Sequence, residues 1–293
     1  MVSPAIKRQM CTYLVDTYQQ SIRRVCMVLS FCRSMWYYQS IRDDEPVIAK
    51  LAEMAELLPN RGFDTYYGRL RRQGYKWSRN KLLRVYRLMN LKLRRKYKRR
   101  LPSRYKESLK VPSEPNHTWS MDFMRDALQD GRKIRVLNIT DDFNREALTI
   151  EVGLSFPSDR VIRTLQVMEE EYGLPQQIRV DNGPEFISSR MQKWCEKNGI
   201  KLKFIQPGRP AQNAYIERFN RIFREDVLNA YWFESLDQVR LLAEQWRMDY
   251  NQNHPHSSLN GFSPIDHYRK AVNSGKAQPR KPNVTLPQLT AIT

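Results

Sequence analysis

Three acidic side chains, Asp122, Asp181 and Glu217, are the residues of this sequence best suited to carry out chemistry. Carboxylates that are held close together repel one another unless hard cations lie between them, and their oxygen atoms are the ligands that Mg²⁺ or Mn²⁺ prefers. Two such ions about 3.5–4 Å apart activate an attacking hydroxyl group and stabilise a leaving one in phosphoryl transfer. Acidic residues scattered along one chain are common. These three can therefore act together only if the fold brings their carboxylates close to one another.

Each acid lies in a segment whose pattern predicts a different element. Asp181 ends the apolar run 178–180 and precedes an Asn-Gly-Pro turn, which places it at the carboxyl end of a strand. Asp122 lies within the predicted strand 117–124, where its burial requires a positive partner, whereas an edge strand would leave it in water. Glu217 lies in a segment whose apolar residues recur at helical spacing.

The surrounding sequence predicts an α/β fold with a mixed sheet. Three meandering strands are expected first, and strands then alternate with helices that cover the faces of the sheet. In chain order, the expected strands cover residues 117–124, 133–139, 147–154, 177–181 and 201–205, and the expected helices cover residues 159–172 and 188–197. A sheet of this kind can bring two strand acids and one helix acid to one place.

The chain of 293 residues has a net charge of +19, and this charge is unevenly distributed. Residues 1–115 hold 26 Lys and Arg against 9 Asp and Glu, whereas residues 116–293 hold 24 against 22. A basic amino-terminal part favours nucleic acid as a partner, bound through its phosphates, over the alternative of a basic surface that is only solvated. The four cysteines form no CxxC pair, and no signal segment or membrane-length apolar run occurs, which predicts a cytoplasmic protein with reduced thiols.

Short helices are expected throughout the basic part. Residues 5–39 predict two or three short helices with the length of a helix-turn-helix, although a plain helical hairpin would show the same pattern. Residues 43–91 predict three further helices with a basic last one, which resemble a DNA-reading unit, although a solvated basic face would show the same pattern. The predicted DNA-binding residues in and after that last helix are Arg79, Lys81, Arg84, Arg87, Arg94 and Arg95. The expected domains are 1–40, 41–91, a basic linker at 92–115, the α/β core at 116–271 and a tail at 272–293.

Two stretches of the α/β part resemble a known family. VDNGPEF, which begins at residue 180, and QPGRPAQNAYIERFNRIFRE, which begins at residue 206, are similar to the catalytic core of bacterial insertion-sequence transposases of the retroviral-integrase type. These proteins are DDE recombinases with an RNase-H-like fold, and the likeness is closest to the OrfB-like product. WSMDFM fits the strand that bears the first Asp, and YNQNHPHSSLNGFSP at 250–264 resembles the motif that follows the core.

The resemblance implies roles for nine residues. The catalytic residues, which would also hold two Mg²⁺ (or Mn²⁺) ions, are Asp122, Asp181 and Glu217. The residues that would lie along the DNA, on the helix of the third acid, are Arg218, Arg221 and Arg224. The residues that would support the acids are Asn182, Gln212 and Asn213.

Other polar residues near these motifs are expected to have different roles. Glu185 is expected to be a turn or supporting residue, and Asp141 and Asp142 are expected to be turn residues. For His254 and His256, a structural role and a DNA-facing one both stay open. The sequence departs from the family pattern at His254, where an Arg is frequent. It also carries Ser-Phe at 30–31 where the first helix-turn-helix usually has Leu-Gly.

The implied function is that of a DDE transposase, which cleaves a DNA strand at an insertion-sequence end and joins the freed 3′-hydroxyl to another phosphodiester in a metal-dependent reaction. The implied partners are the element's terminal inverted repeats, target DNA, further copies of the chain in a multimer, and an upstream-frame product or fusion. No membrane partner is expected, and the expected location is the bacterial cytoplasm with the nucleoid. Two other hypotheses stay open: a non-catalytic DNA-binding regulator or inhibitor of transposition, and a nuclease of the same fold that acts on RNA in hybrids.

Overall fold

The computed structural model describes residues 4–38, 43–93, 111–206 and 210–278 of the chain. The chain divides into two compact units, Met1–Ala49 and Lys50–Thr293. The predicted DNA-binding residues Arg94 and Arg95 lie outside the described residues. Within the described ranges, no helix combines the length and the apolar character that crossing a membrane requires.

Three of the described helices surround a small apolar core in the first unit. These helices are α1 (Pro4–Tyr18), α2 (Ile22–Val28) and α3 (Arg33–Tyr37), which confirms the prediction of two or three helices in this segment. The core residues are Cys11, Val25, Cys26 and Phe31. The turn after α2 passes through Ser30, whose φ of 46° lies in the left-handed region that glycine adopts most easily. The turn between α2 and α3 therefore forms without the glycine that the resembled family usually carries.

The next three described helices are α4 (Glu45–Leu57), α5 (Phe63–Arg72) and α6 (Arg79–Leu88). The boundary between the two units falls within α4, and α5 and α6 belong to the second unit. Ser78 caps α6, because its side chain accepts a hydrogen bond from the N–H of Lys81 (3.2 Å). Helix α5 is joined to the α/β core by arginines. Arg69 forms an ion pair with Asp249 of the core, and α5 is therefore held against the core on that side.

A five-stranded sheet forms the centre of the second unit, and its strand order is β3-β2-β1-β4-β5. The strands are β1 (Thr118–Ala127), β2 (Lys133–Asp141), β3 (Ala147–Gly153), β4 (Gln177–Val180) and β5 (Lys201–Phe204). Strands β1, β2 and β3 are antiparallel neighbours, whereas β4 runs parallel to both β1 and β5. The predicted mixed sheet is confirmed, and its order fits an RNase-H-like core. Strand β1 lies at the centre, so the alternative that Asp122 lies on an edge strand is wrong.

Helices cover both faces of the sheet. They are α7 (Ser158–Tyr172), α8 (Pro184–Ile187), α9 (Ser189–Lys197), α10 (Ala214–Phe223), α11 (Leu236–Asn253) and α12 (Pro264–Asn273). The apolar residues of α10 and α11 pack with one face of β1, β2 and β3 in a single core, and those of α7 and α9 pack with the other face in a second core. The sequence predicted α7, α9 and the helix of Glu217, but it did not predict α11 or α12. A π-helical turn, Arg224–Leu228, directly follows α10.

Candidate active site

Asp122 and Asp181 lie level with each other on neighbouring parallel strands. Ser120 of β1 is paired with Arg179 of β4, and each acid follows two residues later on its own strand. Because side chains two residues apart on a strand point to the same face, both acids lie on the face that α10 covers. Asp181 comes directly after the last residue of β4, so the parallel strand ends where the two acids meet.

Gly183 brings the turn after Asp181 close to that carboxylate. The N–H of Gly183 donates a hydrogen bond to Oδ1 of Asp181 (3.1 Å). A Cβ atom at position 183 would lie 3.0 Å from that oxygen and 3.2 Å from Oε2 of Glu185. The absence of a side chain therefore lets the turn close around the carboxylate.

Glu217, which lies on α10, approaches the face of the sheet that bears Asp122 and Asp181. The helix packs against β1 and β2, and it buries Ile216, Phe219, Ile222 and Phe223, whereas Glu217 itself stays exposed. The apolar residues at helical spacing thus hold α10 on the sheet, and their position leaves Glu217 at the edge of the face that bears Asp122 and Asp181.

The three acids interact electrostatically. Burial, together with the smaller effect of the negative charges of Asp181 and Glu217, raises the pKa of Asp122 to about 6, although hydrogen bonds from the N–H of Phe123 and from Asn220 act in the opposite direction. Burial also raises the pKa of Glu217. The structure therefore brings the three sequence-predicted acids close enough for the charges of two of them to act on the third.

The raised pKa of Asp122 predicts a pH dependence. An unfolded Asp titrates near 3.8, whereas the folded pKa is about 6, so between these values the folded chain keeps a proton that the unfolded chain releases. The contribution of this group to stability is fully present below about pH 4 and is lost as the pH rises through about 6. In the metal-free chain, the free energy of unfolding should fall more between pH 4 and pH 7 for the wild type than for Asp122→Asn. An NMR titration midpoint near 4 for the Asp122 carboxyl group would contradict this prediction.

A chain of two asparagines orients Asp122, and the sequence analysis missed it. The Nδ2 of Asn220 donates to Oδ2 of Asp122 (2.7 Å), and the Nδ2 of Asn138 donates to Oδ1 of Asn220 (2.7 Å). Both asparagines are buried. The only signal in the sequence was the position of Asn220, three residues after Glu217 and hence on the same side of the helix.

The donor set fits hard divalent cations in its chemistry. Carboxylate oxygens are their preferred ligands, and a cation between the three acids would relieve the repulsion that raises the pKa of Asp122. Among the residues that the structure describes, however, no three His, Cys, Asp or Glu side chains already form a group arranged to hold a metal ion. The three carboxylates would therefore have to adjust their side-chain conformations to share a cation.

The acids near the candidate site that were expected to have other roles, Asp141, Asp142 and Glu185, have structural partners. Asp141 accepts hydrogen bonds from the N–H groups of Asn116 and Phe143 (both 2.8 Å), as a turn residue does. Asp142 forms a fully buried ion pair with Arg179. Glu185 forms an ion pair with Arg135.

The sequence predicts that Asp142 is a turn residue, whereas the structure also places it in an ion pair with Arg179. NH1 of Arg179 lies 2.6 Å from Oδ2 of Asp142, and Oγ of Ser120 donates to Oδ1 (2.7 Å). Asp142 has no exposed surface. Burial nevertheless raises its pKa, against the effect of Arg179, which lowers it. The pair joins the end of β2 to β4, two residues before Asp181.

Two of the three residues expected to support the acids form hydrogen bonds with residues 205 and 206, directly after β5. Asn182 donates to the carbonyl of Ile205 (3.3 Å), and Gln212 accepts from the N–H of Gln206 (2.9 Å). Asn213 is buried directly before α10. These contacts connect the end of β5 with the turn after β4 and with the start of α10, so they act on the loop around the acids.

The sequence-predicted DNA-binding arginines of α10 differ in their surroundings. Arg218 and Arg221 are exposed one turn apart, next to Glu217. Arg224 instead lies in the π-helical turn, where its guanidinium group donates to the carbonyl of Arg125 (2.8 Å) and lies 3.4 Å from Asp126. Two of the three arginines are therefore open to solvent, and the third is engaged with the end of β1.

The predicted DNA-binding residues of α6 lie along an outer face of that helix. Arg79 is exposed, forms an ion pair with Asp64 (2.8 Å) and lies over the ring of Phe63 (5.1 Å). Arg84 and Arg87 are exposed, and Lys81 is half-buried. Arg79, Arg84 and Arg87 are therefore all accessible on this face of α6.

His254 and His256 are both buried, which favours the structural role. The ring of His254 stacks on Tyr250 at 5.1 Å, and the ring of His256 meets Tyr250 edge-on at 5.3 Å. Burial lowers the pKa of both imidazoles, to about 3 for His256. Both rings are therefore neutral at physiological pH.

Comparisons with known proteins agree with this geometry. Two family models, both described as the integrase core domain, match residues 112–210 and 198–264. An uncharacterized 31.7 kDa protein of insertion element IS407 from Burkholderia multivorans is 38% identical over 84% of this chain and 90% of its own length. An uncharacterized 39.2 kDa protein of insertion element IS476 from Xanthomonas euvesicatoria is 36% identical over 90% of this chain and 77% of its own length.

Two more distant proteins are also similar. The transposase InsD for insertion element IS2 of Escherichia coli is 25% identical over 81% of this chain and 83% of its own length. Among solved structures, the HTLV-2 integrase catalytic core domain in complex with magnesium is 24% identical, with a TM-score of 0.42 over 53% of this chain and 97% of its own.

Proposed function

Because this chain belongs to the bacterial insertion-sequence transposases of the DDE type, which carry an integrase core domain, we propose that it cleaves and joins DNA strands at the ends of such an element. The proposed catalytic residues are Asp122, Asp181 and Glu217. The observation that carries the proposal is that Asp181, at the end of the strand paired with β1, and Glu217, on the helix that packs against β1, lie close enough to Asp122 for their negative charges to raise its pKa. A DNA-binding regulator would not require three acids gathered beside exposed arginines.

In the proposed mechanism, Asp122, Asp181 and Glu217 would hold divalent cations, Mg²⁺ or Mn²⁺. When bound, two such ions supply activation of the attacking hydroxyl group and stabilisation of the leaving oxygen. Asn220 keeps Asp122 in position through its hydrogen bond. The exposed guanidinium groups of Arg218 and Arg221 attract the phosphates on either side of the reacting one. No Ser or Tyr nucleophile is required, so no covalent protein–DNA intermediate is expected.

The proposed substrate is double-stranded DNA that carries the terminal inverted repeats of the element. The helical segments before the core would bind these repeats, with Arg84 and Arg87 of α6 at the phosphates. Two ends have to be joined, so the active form is proposed to be a multimer of this chain. The upstream-frame product of the same element, alone or fused to this chain, would be a further partner.

A metal-dependent cleavage assay tests this function directly. The full chain is incubated with a duplex that carries the inverted repeats flanking its gene, in Mg²⁺, in Mn²⁺, or with EDTA. We expect a nick at the element end with either metal and none with EDTA, whereas binding of the duplex in a gel-shift assay should persist without metal. Binding without cleavage in both metals would favour the regulator instead, and cleavage in EDTA would reject the proposed role of the carboxylates.

Asn220→Ala should slow cleavage on the order of 10–100-fold, the range found when a residue that orients a metal ligand is removed. Loss of the hydrogen bond to Asp122 should also raise the pKa of that carboxyl group, because this bond lowers it in the wild type. The acidic limb of the pH–rate profile should therefore move to higher pH. A purely structural defect would lower the rate without moving that limb.

Asn253→Ala is the matched control for this prediction. Asn253 is exposed and donates to Oδ1 of Asp249 (3.0 Å), so the variant also removes an Asn–Asp hydrogen bond, but one away from the three acids. Its cleavage rate and pH profile should match those of the wild type.

A further inference from the structure

A small cavity lies beside the first turn of α10. Its volume is about 230 Å³, and it is bounded by that turn, the end of β2 and residues 256–258 of the loop after α11. A water molecule occupies about 30 Å³ in the liquid, so the cavity has room for a polyatomic group. Exposed residues at 214, 218, 257 and 258 form its rim, whereas Thr140 and Tyr250 are among its buried walls.

Two buried side chains that line this cavity have polar atoms without partners. Arg145 is 8% exposed and His256 is 5% exposed. Among the described residues, NH1 of Arg145 and Nε2 of His256 have no hydrogen-bond partner. An unpaired buried polar group destabilises a protein, so two of them at one cavity indicate a group that completes them.

The backbone conformation of Arg145 also indicates a binding site at this cavity. Arg145 has a φ of 63°, a left-handed conformation that is unusual for an arginine. Its guanidinium carbon lies 3.4 Å from the centre of the Tyr215 ring on α10, and this contact holds the side chain over the helix. Backbone strain of this kind persists where the surrounding structure fixes it, and it is often found at binding sites.

The charge of the cavity favours an anion. Among the residues that the structure describes, its lining contains the cations Arg145 and Arg218 and several hydroxyl groups, but no acidic side chain. The positive end of the α10 dipole lies at the same place. Burial is the largest cause that lowers the pKa of His256 to about 3, and the positive charges of Arg218 and Arg145 lower it as well.

We propose that this cavity binds one phosphate group, and that the group belongs to the DNA strand whose cleavage is the proposed function. Arg218 at the rim directly follows Glu217 on α10, so the bound phosphate would lie beside the proposed catalytic acids. Arg145 and His256 would donate hydrogen bonds to this phosphate from the buried walls of the cavity. The hydroxyl groups of Ser257 and Ser258 would donate hydrogen bonds to it from the rim. The site would fix the strand in register with the carboxylates.

The first experiment uses inorganic phosphate and a signal from inside the cavity. The chain has four histidines, so in protein with ¹³C-labelled histidine the imidazole signal of His256 can be assigned from His256→Asn. In the full chain, phosphate should shift this signal saturably, whereas chloride at equal ionic strength should not. Absence of a saturable shift would overturn the proposal.

Two arginine variants separate a built site from general attraction. Arg218→Gln should weaken phosphate binding on the order of tenfold, as expected for the loss of a charge-assisted hydrogen bond. Arg163→Gln removes the same charge from an exposed position of α7, which packs on the opposite face of the sheet and does not line the cavity, and it should leave the affinity unchanged. Both arginines are exposed, so neither change should impair folding. Equal weakening in the two variants would show an adventitious ion only.

The second experiment identifies the source of the phosphate. A short DNA duplex should shift the His256 signal in the same direction and should displace inorganic phosphate. If the duplex binds in a gel-shift assay but leaves the His256 signal unchanged, the DNA assignment is overturned and the site binds free phosphate. This outcome is distinct from a failure of the proposed function, which would appear as an absence of metal-dependent cleavage while phosphate still shifts the His256 signal.

Discussion

Glu217→Gln should lower the rate of cleavage of a duplex that carries the element ends by at least about a thousandfold in Mg²⁺, while binding of that duplex stays nearly unchanged. The substitution keeps the size of the side chain but removes its negative charge. Glu217 is exposed on α10, so the fold does not depend on it, whereas the proposed reaction requires its carboxylate beside those of Asp122 and Asp181. The measurement is the nicking rate of the purified full chain, with gel shift as the test of binding.

Glu170→Gln provides the control for this prediction. Glu170 is an exposed residue of α7, which packs on the opposite face of the sheet from α10, and the substitution makes the same chemical change. Its cleavage rate should equal that of the wild type. Retention of full nicking by Glu217→Gln would reject the proposed catalytic site, and loss of binding together with cleavage would indicate a role in DNA contact instead.

Arg179→Met is expected to destabilise the second unit by about 3–5 kcal/mol, the range for removing one member of a buried ion pair. Asp142 has no exposed surface, and its Oδ2 lies 2.6 Å from NH1 of Arg179. Without Arg179, the hydroxyl of Ser120 would be the one side-chain hydrogen-bond donor to the buried carboxylate among the residues that the structure describes, or the carboxylate would take up a proton. The measurement is the free energy of unfolding from urea titration.

The matched control is Arg190→Met. Arg190 also pairs with an aspartate, Asp159, but both side chains are largely exposed. Exposed pairs of this type contribute about 0–1 kcal/mol, so this variant should unfold almost as the wild type does. Equal destabilisation by the two substitutions would contradict the interpretation that burial makes the Asp142–Arg179 pair important.

Because Arg179 lies on β4 two residues before Asp181, the same experiment connects stability with the site. Loosening of the end of β4 should move Asp181 relative to Asp122, since the two strands are paired up to Ser120 and Arg179. The Arg179→Met variant should therefore also lose cleavage activity at temperatures where it remains folded.

Local pattern in the sequence was sufficient for the core elements and for the candidate acids. Alternation of apolar residues and the turn residues at Gly183 and Pro184 predicted the strand that ends at Asp181, and helical spacing predicted the burial of Ile216 and Phe219 beside Glu217. These features depend on residues close together in the chain, and strand and helix geometry converts them directly into burial and direction.

The partners of those side chains were decided by the tertiary structure. Asn220 contacts Asp122 across 98 residues of sequence, and Asn138 contacts Asn220 across 82. Asp142, interpreted from sequence as a turn residue, became half of a buried ion pair because β4 lies next to β1. Strand order and helix packing set these distances, and no short stretch of sequence encodes either.

The sequence by itself therefore determined which acids are candidates, the elements that carry them and the basic character of the amino-terminal part. Only the tertiary structure decided that Arg145 and His256 face one cavity, that α5 uses Arg69 to hold the core, and that Arg224 is engaged by the end of β1. The physical reason is that periodicity fixes the direction of a side chain relative to its own element, whereas its neighbours depend on how separate elements pack.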